Sequence, residues 1–315
     1  MYFQRTVKNE IVCKSVGLHS GRKIVMVIKP ANVEEGIVFV RKDLPGKNRV
    51  RANVHNVIDT TLATTLGSNG ATVSTVEHLM SAFSGMGVDN AIIEVDAPEL
   101  PIMDGSAKPF VEMLKSVGTR MQGKVKKLLV VRKKVSVSEG EGTAMFIPSP
   151  EFQITYSIEF KHNAIGSQSY HFKFSDVSYE RDICAARTFG FLSDVEYLQA
   201  RGLALGGSLK NAIVLDKDRI INKEGLRFPD EFVRHKILDS IGDLSLLGVP
   251  IIGHFVASKS GHRLNNMLLK EMLFRQECWS VVDDFSKEGV LGTTEKLRVP
   301  SFRILDSAPA SSYAI

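Results

Sequence analysis

The sequence has few cysteines and lacks long apolar runs. Cys13, Cys184 and Cys278 lie far apart and form no C-x-x-C motif, which excludes a disulfide framework and a cysteine-based zinc site. No apolar run approaches the roughly 20 residues that span a bilayer. The N-terminal segment lacks the basic start and apolar stretch of a signal peptide. We therefore expect a soluble, cytoplasmic protein with no stable membrane insertion.

The chain also lacks a large excess of positive or negative charge. The 315 residues include 40 Lys plus Arg and 35 Asp plus Glu, and 43% of the chain is hydrophobic, which is typical of a globular protein and excludes disorder. The net charge of +5 fits a phosphate-bearing partner but specifies none. A nucleic-acid-binding protein is the competing hypothesis from another class, but the sequence contains no motif that reads bases. We expect no nucleic-acid partner.

The hydrophobic pattern changes period several times along the chain. Because strands and helices do not alternate regularly, the pattern predicts an α+β fold. A polar, basic, glycine-containing segment at 118–127 favours a first domain over 1–122, a second over 123–285 and a C-terminal tail over 286–315 that is loosely held. Strands are predicted at 22–29, 36–40, 91–95, 153–160 and 250–258, and helices at 74–85, 106–117, 179–187, 193–201, 230–247 and 262–278.

The helix predicted at 230–247 has a polar stripe on an otherwise apolar surface. At 100° per residue, His235, Asp239 and Asp243 fall within about 80° of one another. A helix that is apolar on nearly all sides is buried, so each of these groups needs a hydrogen bond, a counter-charge or a metal. Two interpretations remain open, a catalytic metal site and a hydrogen-bonded His–Asp pair.

A metal site of this kind needs a further ligand, and His78 is distinguished among the other histidines by the glutamate before it. Glu77 beside a metal-bound histidine is placed to act as a general base. The alternative is a capping box, because Ser74-x-x-Glu77 has that form. There is no H-E-x-x-H motif, which disfavours a zincin peptidase.

Two further segments admit a chemical and a structural interpretation. His262 closes a polar turn, where it can donate a proton if Asp243 orients it, or it is a histidine of a surface loop. Thr188, between Arg187 and two phenylalanines, can donate to a developing oxyanion or simply belong to a packed segment.

Five motifs occur in an order and spacing that resemble one enzyme family. Together they resemble the UDP-3-O-acyl-N-acetylglucosamine deacetylases, zinc enzymes that catalyse the committed step of lipid A synthesis in Gram-negative bacteria. The likeness extends from about residue 5 to residue 279, nearly the whole chain. The motifs are Glu77-His78-Leu79, the segment from Pro101 to Ser106, Arg187-Thr188-Phe189-Gly190-Phe191, His235-Lys236-x-x-Asp239 with Gly242-Asp243, and Lys259-Ser260-Gly261-His262.

The resemblance implies a fold and a catalytic apparatus. It implies two similar α+β domains, each a sheet packed against helices, with the active site at their interface. His78, His235 and Asp239 would be the zinc ligands, with iron(II) a possible replacement in the cell. Glu77 would be the general base, and His262, oriented by Asp243, would help the amine leave.

The resemblance also implies a substrate and its binding residues. The substrate would be UDP-3-O-(3-hydroxyacyl)-N-acetylglucosamine, hydrolysed to acetate and the free amine. The oligomeric state does not follow from the resemblance, and a monomer is the default expectation. An insert at about 188–215 would form a passage for the acyl chain. By the resemblance, Thr188 would donate to the oxyanion, and Lys236 would lie near the carbonyl or the phosphates. Acyl-passage contacts are implied for Phe189 and Phe191. Contacts with the nucleotide or sugar are implied for His19, Phe160 and Lys259.

Two positions depart from the family pattern. Gly142-Thr143 stands where relatives often have a lysine that reaches the diphosphate, so another basic residue would supply that contact. Ala63 stands where some relatives have a cysteine near the zinc, which weakens the case for a second, inhibitory metal. A catalytically silent zinc or nucleotide-sugar binding protein on the same fold remains the alternative hypothesis.

Overall fold

The computed structural model describes residues 2–46, 48–283, 296–300, 302, 303 and 305. Within them it has an α+β architecture of twenty strands and six α-helices, which confirms the predicted fold class. The strands are β1 (Phe3–Val7), β2 (Ile11–Val16), β3 (Lys23–Pro30), β4 (Ile37–Arg41), β5 (Arg49–Arg51), β6 (Val57–Asp59), β7 (Thr65–Ser68), β8 (Ala71–Val73), β9 (Ala91–Val95), β10 (Thr119–Val125), β11 (Leu128–Val131), β12 (Val135–Glu139), β13 (Gly142–Ile147), β14 (Gln153–Glu159), β15 (Ser167–Lys173), β16 (Phe189–Phe191), β17 (Ile213–Leu215), β18 (Ile251–Ile252), β19 (His254–Ser258) and β20 (Trp279–Val282). The helices are α1 (Glu77–Met86), α2 (Lys108–Val117), α3 (Asp176–Asp182), α4 (Leu192–Gln199), α5 (Glu231–Leu244) and α6 (His262–Phe274).

Two five-stranded sheets share one topology. The first has the order β2-β3-β9-β4-β5 and the second the order β12-β13-β19-β14-β15. In each sheet the strand that comes last in the chain is inserted at the centre, antiparallel to one neighbour and parallel to the other. The strand order therefore repeats along the chain, as expected for two similar units.

The helices repeat as well. Helix α1 precedes the central strand β9 in the first half, and α5 precedes the central strand β19 in the second. These two equivalent helices pack against each other, and one large hydrophobic core joins both halves. Any group that faces the contact between α1 and α5 therefore lies between the halves.

A glycine permits the close approach of α5 to α1. A Cβ atom built on Gly242 would lie 2.0 Å from the backbone oxygen of Glu77. Since that oxygen belongs to the first residue of α1, only a residue without a side chain fits at this crossing. The polar stripe of α5 is thereby placed beside the N-terminal end of α1.

Most predicted elements are confirmed with shifted ends, and one strand is divided. The segment 250–258 forms β18, which pairs with β11, and β19, which lies in the second five-stranded sheet. The break occurs at Gly253, where an added Cβ would meet the Val131 side chain at 2.5 Å. The capping-box interpretation is wrong, because Val76 is the N-cap of α1 and makes no side-chain cap bond.

The predicted domain boundaries stay a prediction. Strand β10 spans residues 122 and 123 and pairs with β1, so it joins the chain on both sides of the proposed boundary to the first half. Parts of the predicted tail 286–315 pack on the body of the protein, where Leu297 and Leu305 are buried. In the described chain, no helix has both the length and the apolar character required to cross a membrane.

Candidate active site

Three buried side chains meet at the contact between α1 and α5. His78 lies in the first turn of α1, and His235 and Asp239 are one turn apart on α5. Asp239 Oδ1 lies 3.5 Å from His78 Nε2 and 3.4 Å from His235 Nε2. One ligand atom from each residue lies within 4.8 Å of the other two. The structure therefore brings together all three predicted metal ligands.

The spacing of these atoms fits a tetrahedral metal ion. Two ligand atoms about 2.1 Å from such an ion lie about 3.4 Å apart. Asp239 Oδ1 is buried and makes no hydrogen bond with any residue that the structure describes. His235 Nδ1 lies 3.0 Å from the Ala186 carbonyl oxygen, to which it donates, so Nε2 is left with its lone pair toward the cluster.

The electrostatics of the cluster also suit a cation. Burial lowers the pKa of His235 to about 3, so its imidazole is neutral and able to bind a metal. Burial alone would raise the pKa of Asp239, but the nearby positive charge of the Lys236 ammonium, 2.9 Å from Oδ2, keeps it well below the usual value. A neutral His235 imidazole and an ionised Asp239 carboxylate are therefore available at neutral pH.

The carboxylate of Glu77 is buried next to this cluster. Its Oε2 accepts a hydrogen bond from the backbone N–H of Thr64 at 3.0 Å. Burial raises the pKa of Glu77, while His262 and His78 oppose that rise. A carboxylate with a raised pKa is a stronger base, as a general base requires.

His262 begins α6 and faces α5. Its Nδ1 lies 2.8 Å from Asp243 Oδ2, as the sequence predicts for an oriented histidine. Burial alone would lower the pKa of His262, but the carboxylates of Asp243, Glu77 and Asp239 raise it to about 9. The imidazole is therefore protonated at neutral pH and able to act as a general acid. The surface-loop interpretation is wrong, since the side chain is only 11% exposed.

Three phenylalanines form a wall beside the cluster. The Phe160 ring lies 5.7 Å from that of Phe189 and 5.9 Å from that of Phe191. Phe189 also lies 6.3 Å from the His235 ring and 5.7 Å from Lys236 Nζ. The structure thus places the predicted acyl-chain and nucleotide residues next to the cluster of candidate metal ligands.

The comparisons with known proteins agree with this geometry. A family model described as UDP-3-O-acyl N-acetylglycosamine deacetylase matches residues 4–274. A deacetylase of that name from Syntrophus aciditrophicus is 62% identical over 315 residues, which cover 98% of this chain and all of the relative. Deacetylases from Geobacter sp. and Myxococcus xanthus are 50% and 51% identical, and each match covers about 90% of both chains.

The chain belongs to the UDP-3-O-acyl-N-acetylglucosamine deacetylase family. Members of this family are hydrolases that act on an amide bond, so the chain is an enzyme. The matched residues 4–274 include the cluster, Glu77 and the His262–Asp243 pair. The family and the site geometry indicate the same chemistry.

Two of the other predicted substrate residues lie at or beside the segment 188–215. Thr188 is its first residue, and its N–H donates to the Gly105 carbonyl at 2.8 Å. His19 lies beside this segment, because its carbonyl accepts from the N–H of Leu205 at 3.1 Å. The Lys259 ammonium forms ion pairs with Glu141 and Glu159 at 2.7 and 2.5 Å.

A second group of polar residues in this deacetylase was not predicted. Thr64 Oγ1 donates to Asp243 Oδ1 at 2.6 Å, and Asn265 Nδ2 donates to Asp243 Oδ2 at 2.9 Å. Asn265 follows His262 by three residues on α6, so helical spacing predicts that the two share a face. No sequence signal marks Thr64, because it contacts Asp243 across the two halves of the chain.

Proposed function

We propose that this protein hydrolyses the N-acetyl group of UDP-3-O-(3-hydroxyacyl)-N-acetylglucosamine, the committed step of lipid A biosynthesis. The products are acetate and UDP-3-O-(3-hydroxyacyl)-glucosamine. The observation that carries the proposal is the buried His78–His235–Asp239 cluster with Glu77 and a protonated His262 beside it. The family membership supports the substrate, which the relatives' names specify.

We propose zinc as the metal, with iron(II) a possible replacement. His78 and His235 would hold it through nitrogen and Asp239 through oxygen, a donor set that suits both ions. When bound, such an ion polarises an amide carbonyl and lowers the pKa of water.

The protein's own groups carry the protons of the reaction. Glu77 takes a proton from the attacking water, whose oxygen forms a bond to the acetyl carbon. His262 donates its Nε2 proton to the amide nitrogen as the C–N bond breaks, because Nδ1 is engaged with Asp243. One water is consumed, and acetate and an amine are released. The raised pKa values of Glu77 and His262 provide a base and an acid in one site.

Other residues are proposed to hold the substrate. The Thr188 hydroxyl and the Lys236 ammonium stabilise charge that develops on the carbonyl oxygen. Phe160 and Phe191 line a cavity of about 380 Å³ whose wall also includes Lys161, Lys217, Glu196 and Asp216, so it offers aromatic faces and polar groups to a nucleotide. Phe189 and the insert contact the acyl chain, and His19 and Lys259 contact the sugar or nucleotide. Action as a cytoplasmic monomer stays a prediction.

The test is acetate release by the purified protein. We expect activity as isolated, loss after chelation and recovery when zinc is restored. Glu77→Gln is expected to reduce the rate at least 1,000-fold while metal content stays unchanged, since Glu77 is not a ligand. Glu112→Gln, on an exposed side chain of α2, is the matched control and should retain full activity.

Two outcomes would contradict the proposal. A Glu77→Gln variant with the wild-type rate would exclude Glu77 as the base. Substrate binding by the zinc-loaded protein without acetate release would favour a catalytically silent binding protein.

A further inference from the structure

Thr64 is a buried residue in contact with both halves of the site. It lies between β6 and β7, is 2% exposed and makes three hydrogen bonds. Its N–H donates to Glu77 Oε2 at 3.0 Å and its carbonyl accepts from the Val76 N–H at 3.3 Å. Its hydroxyl donates to Asp243 Oδ1 at 2.6 Å. The residue is therefore bound to the start of α1 by its backbone and to α5 by its side chain.

The two carboxylates that Thr64 contacts act at opposite ends of the proposed reaction. Glu77 is the proposed base, and Asp243 orients His262, the proposed acid. Among the described residues, the Thr64 N–H is the one hydrogen-bond donor to the Glu77 carboxylate. Asp243 Oδ2 also accepts from Asn265 Nδ2 and from His262 Nδ1, but both of these residues lie on α6, and in the described structure neither is hydrogen-bonded to Glu77.

We propose that Thr64 is a positioning residue that holds the Glu77 and Asp243 carboxylates at a fixed separation. This inference rests on the proposed function, because it assigns Thr64 a role in the same reaction. The general base must reach the water that attacks the acetyl carbon, and the general acid must reach the nitrogen of the same amide, so a change in their separation lowers the rate. The Thr64 hydroxyl is directed at Asp243, so Thr64 acts through its two partners.

The hydroxyl controls the position of the backbone donor as well. If the bond to Asp243 is lost, the 60–64 connection loses this hydrogen bond to α5, and the N–H that fixes Glu77 is less restrained. Asp243 Oδ1 is at the same time left buried without its donor. Both proposed catalytic groups are therefore expected to lose orientation from a single substitution.

The chain offers close controls for this test. Thr64→Val removes the hydroxyl and keeps the shape, whereas Thr64→Ser keeps the hydroxyl and removes a methyl group. Thr65→Val makes the same change one residue away, where the hydroxyl bonds to Ser74 Oγ at 2.8 Å. Thr64→Ala also lacks the hydroxyl but places no methyl group against Asp243. This variant replaces Thr64→Val in the test if Thr64→Val folds poorly.

The measurement is steady-state acetate release with metal content and Tm for each variant. We expect Thr64→Val and Thr64→Ala to lower kcat about 10- to 100-fold, the range known for groups that orient a site, with KM within about twofold and metal content unchanged. Thr64→Ser should return to within about threefold of wild type. Thr65→Val should stay within about twofold.

Two results would overturn the inference. The first is that Thr64→Val has the same rate as the control Thr65→Val. The second is that Thr64→Ser is as slow as Thr64→Val. Glu77→Gln, measured in the same series, separates this inference from the proposed function. An inactive Glu77→Gln with normal Thr64 variants rejects only the role of Thr64, whereas an active Glu77→Gln rejects Glu77 as the base. The proposed function itself is rejected if the zinc-loaded wild-type protein binds the substrate but releases no acetate.

Discussion

At the scale of single residues, the proposed metal ligands differ in their surroundings from the groups proposed to move protons. His235 is neutral because it is buried, whereas His262 is charged because carboxylates surround it. The same side chain is therefore suited to be a ligand in one place and an acid in another. The difference lies in the partners, since His235 donates to a carbonyl and His262 to the Asp243 carboxylate.

The pH dependence of the rate follows from the two raised pKa values. Because the pKa of His262 is about 9, its protonated form is present at neutral pH and is lost as the pH rises through about 9. Glu77 acts as a base only when ionised, so activity should also fall as the pH drops through its raised pKa. We expect a bell-shaped profile of kcat/KM against pH.

Substitution of the acid tests the assignment of the alkaline side. His262→Gln should lower kcat/KM about 100- to 1,000-fold and remove the decrease near pH 9, because no proton is left to lose. If kcat/KM of the His262→Gln variant still decreases near pH 9, a group other than His262 causes that decrease. His55→Gln is the matched control, since His55 lies on the connection between β5 and β6.

The individual groups could be predicted from sequence only where spacing or resemblance marked them. The helical stripe placed His235, Asp239 and Asp243 together. The adjacent Glu77 and His78 were candidates from the sequence, and the resemblance favoured their catalytic interpretation. Thr64 could not be found, because its bond to Asp243 joins residues 179 positions apart and has no periodicity.

At the scale of elements, the crossing of α1 and α5 determines the geometry of the site. Gly242 lies one turn after Asp239 on α5 and directly against the backbone of Glu77. The helices can therefore approach closely at the level of the cluster. Any side chain at this position would push apart the elements that carry the ligands.

Gly242→Ala tests this contact. The added Cβ would lie 2.0 Å from a backbone oxygen, which cannot rotate away, so the helices must separate. We expect a loss of about 3 kcal/mol in the free energy of unfolding and a weaker affinity for zinc. The measurements are thermal unfolding of the metal-free protein and a competition assay for zinc.

The control is a glycine with free space around it. No heavy atom lies within 4 Å of a Cβ built on Gly123, so Gly123→Ala should leave both quantities almost unchanged. Equal behaviour of the two variants would show that the helix crossing tolerates a side chain.

Elements with a strong hydrophobic periodicity were predicted better than elements that tertiary contacts interrupt. The apolar spacing of 230–247 predicts a helix, and the structure has α5 at Glu231–Leu244. The apolar run 250–258 predicts one strand, but close packing on Val131 breaks it at Gly253. The repeated strand order could not be predicted, because it depends on pairing between strands far apart in sequence.

At the scale of the whole molecule, Phe302 and Arg303 pack near the C-terminal end of α1. The rise from His78 to Met86 places this end of the helix about 12 Å from the cluster. The Arg5 guanidinium donates to the carbonyl oxygens of Phe302 and Arg303, both at 2.8 Å. Arg303 in turn pairs with Glu180 on α3 at 2.7 Å, so this segment links the two halves.

Phe302 is the central contact of this segment. It forms part of the wall of a cavity of about 430 Å³, and its ring lies 5.2 Å from Lys126 Nζ. We expect Phe302→Ala to cost about 2 kcal/mol of unfolding free energy, less than for a fully buried phenylalanine because the ring is half-buried. The matched control is Phe274→Ala, where the side chain is 84% exposed and little loss is expected.

The measurement is thermal unfolding of both variants alongside the wild type. A Tm for Phe302→Ala equal to that of Phe274→Ala would show that the packed end of the chain adds nothing to stability. Because α1 carries His78 at its other end, zinc content should be recorded for the same samples.

The distribution of the ligands over the two halves has a consequence for protein synthesis. A ribosome that has translated His78 must continue past Asp239 before the cluster can form. At about 5–20 residues per second this delay is on the order of ten seconds or more. During that time α1 lacks α5, the helix that buries its face in the finished protein. Binding of a metal by the complete proposed cluster is therefore an event that follows synthesis of the second half.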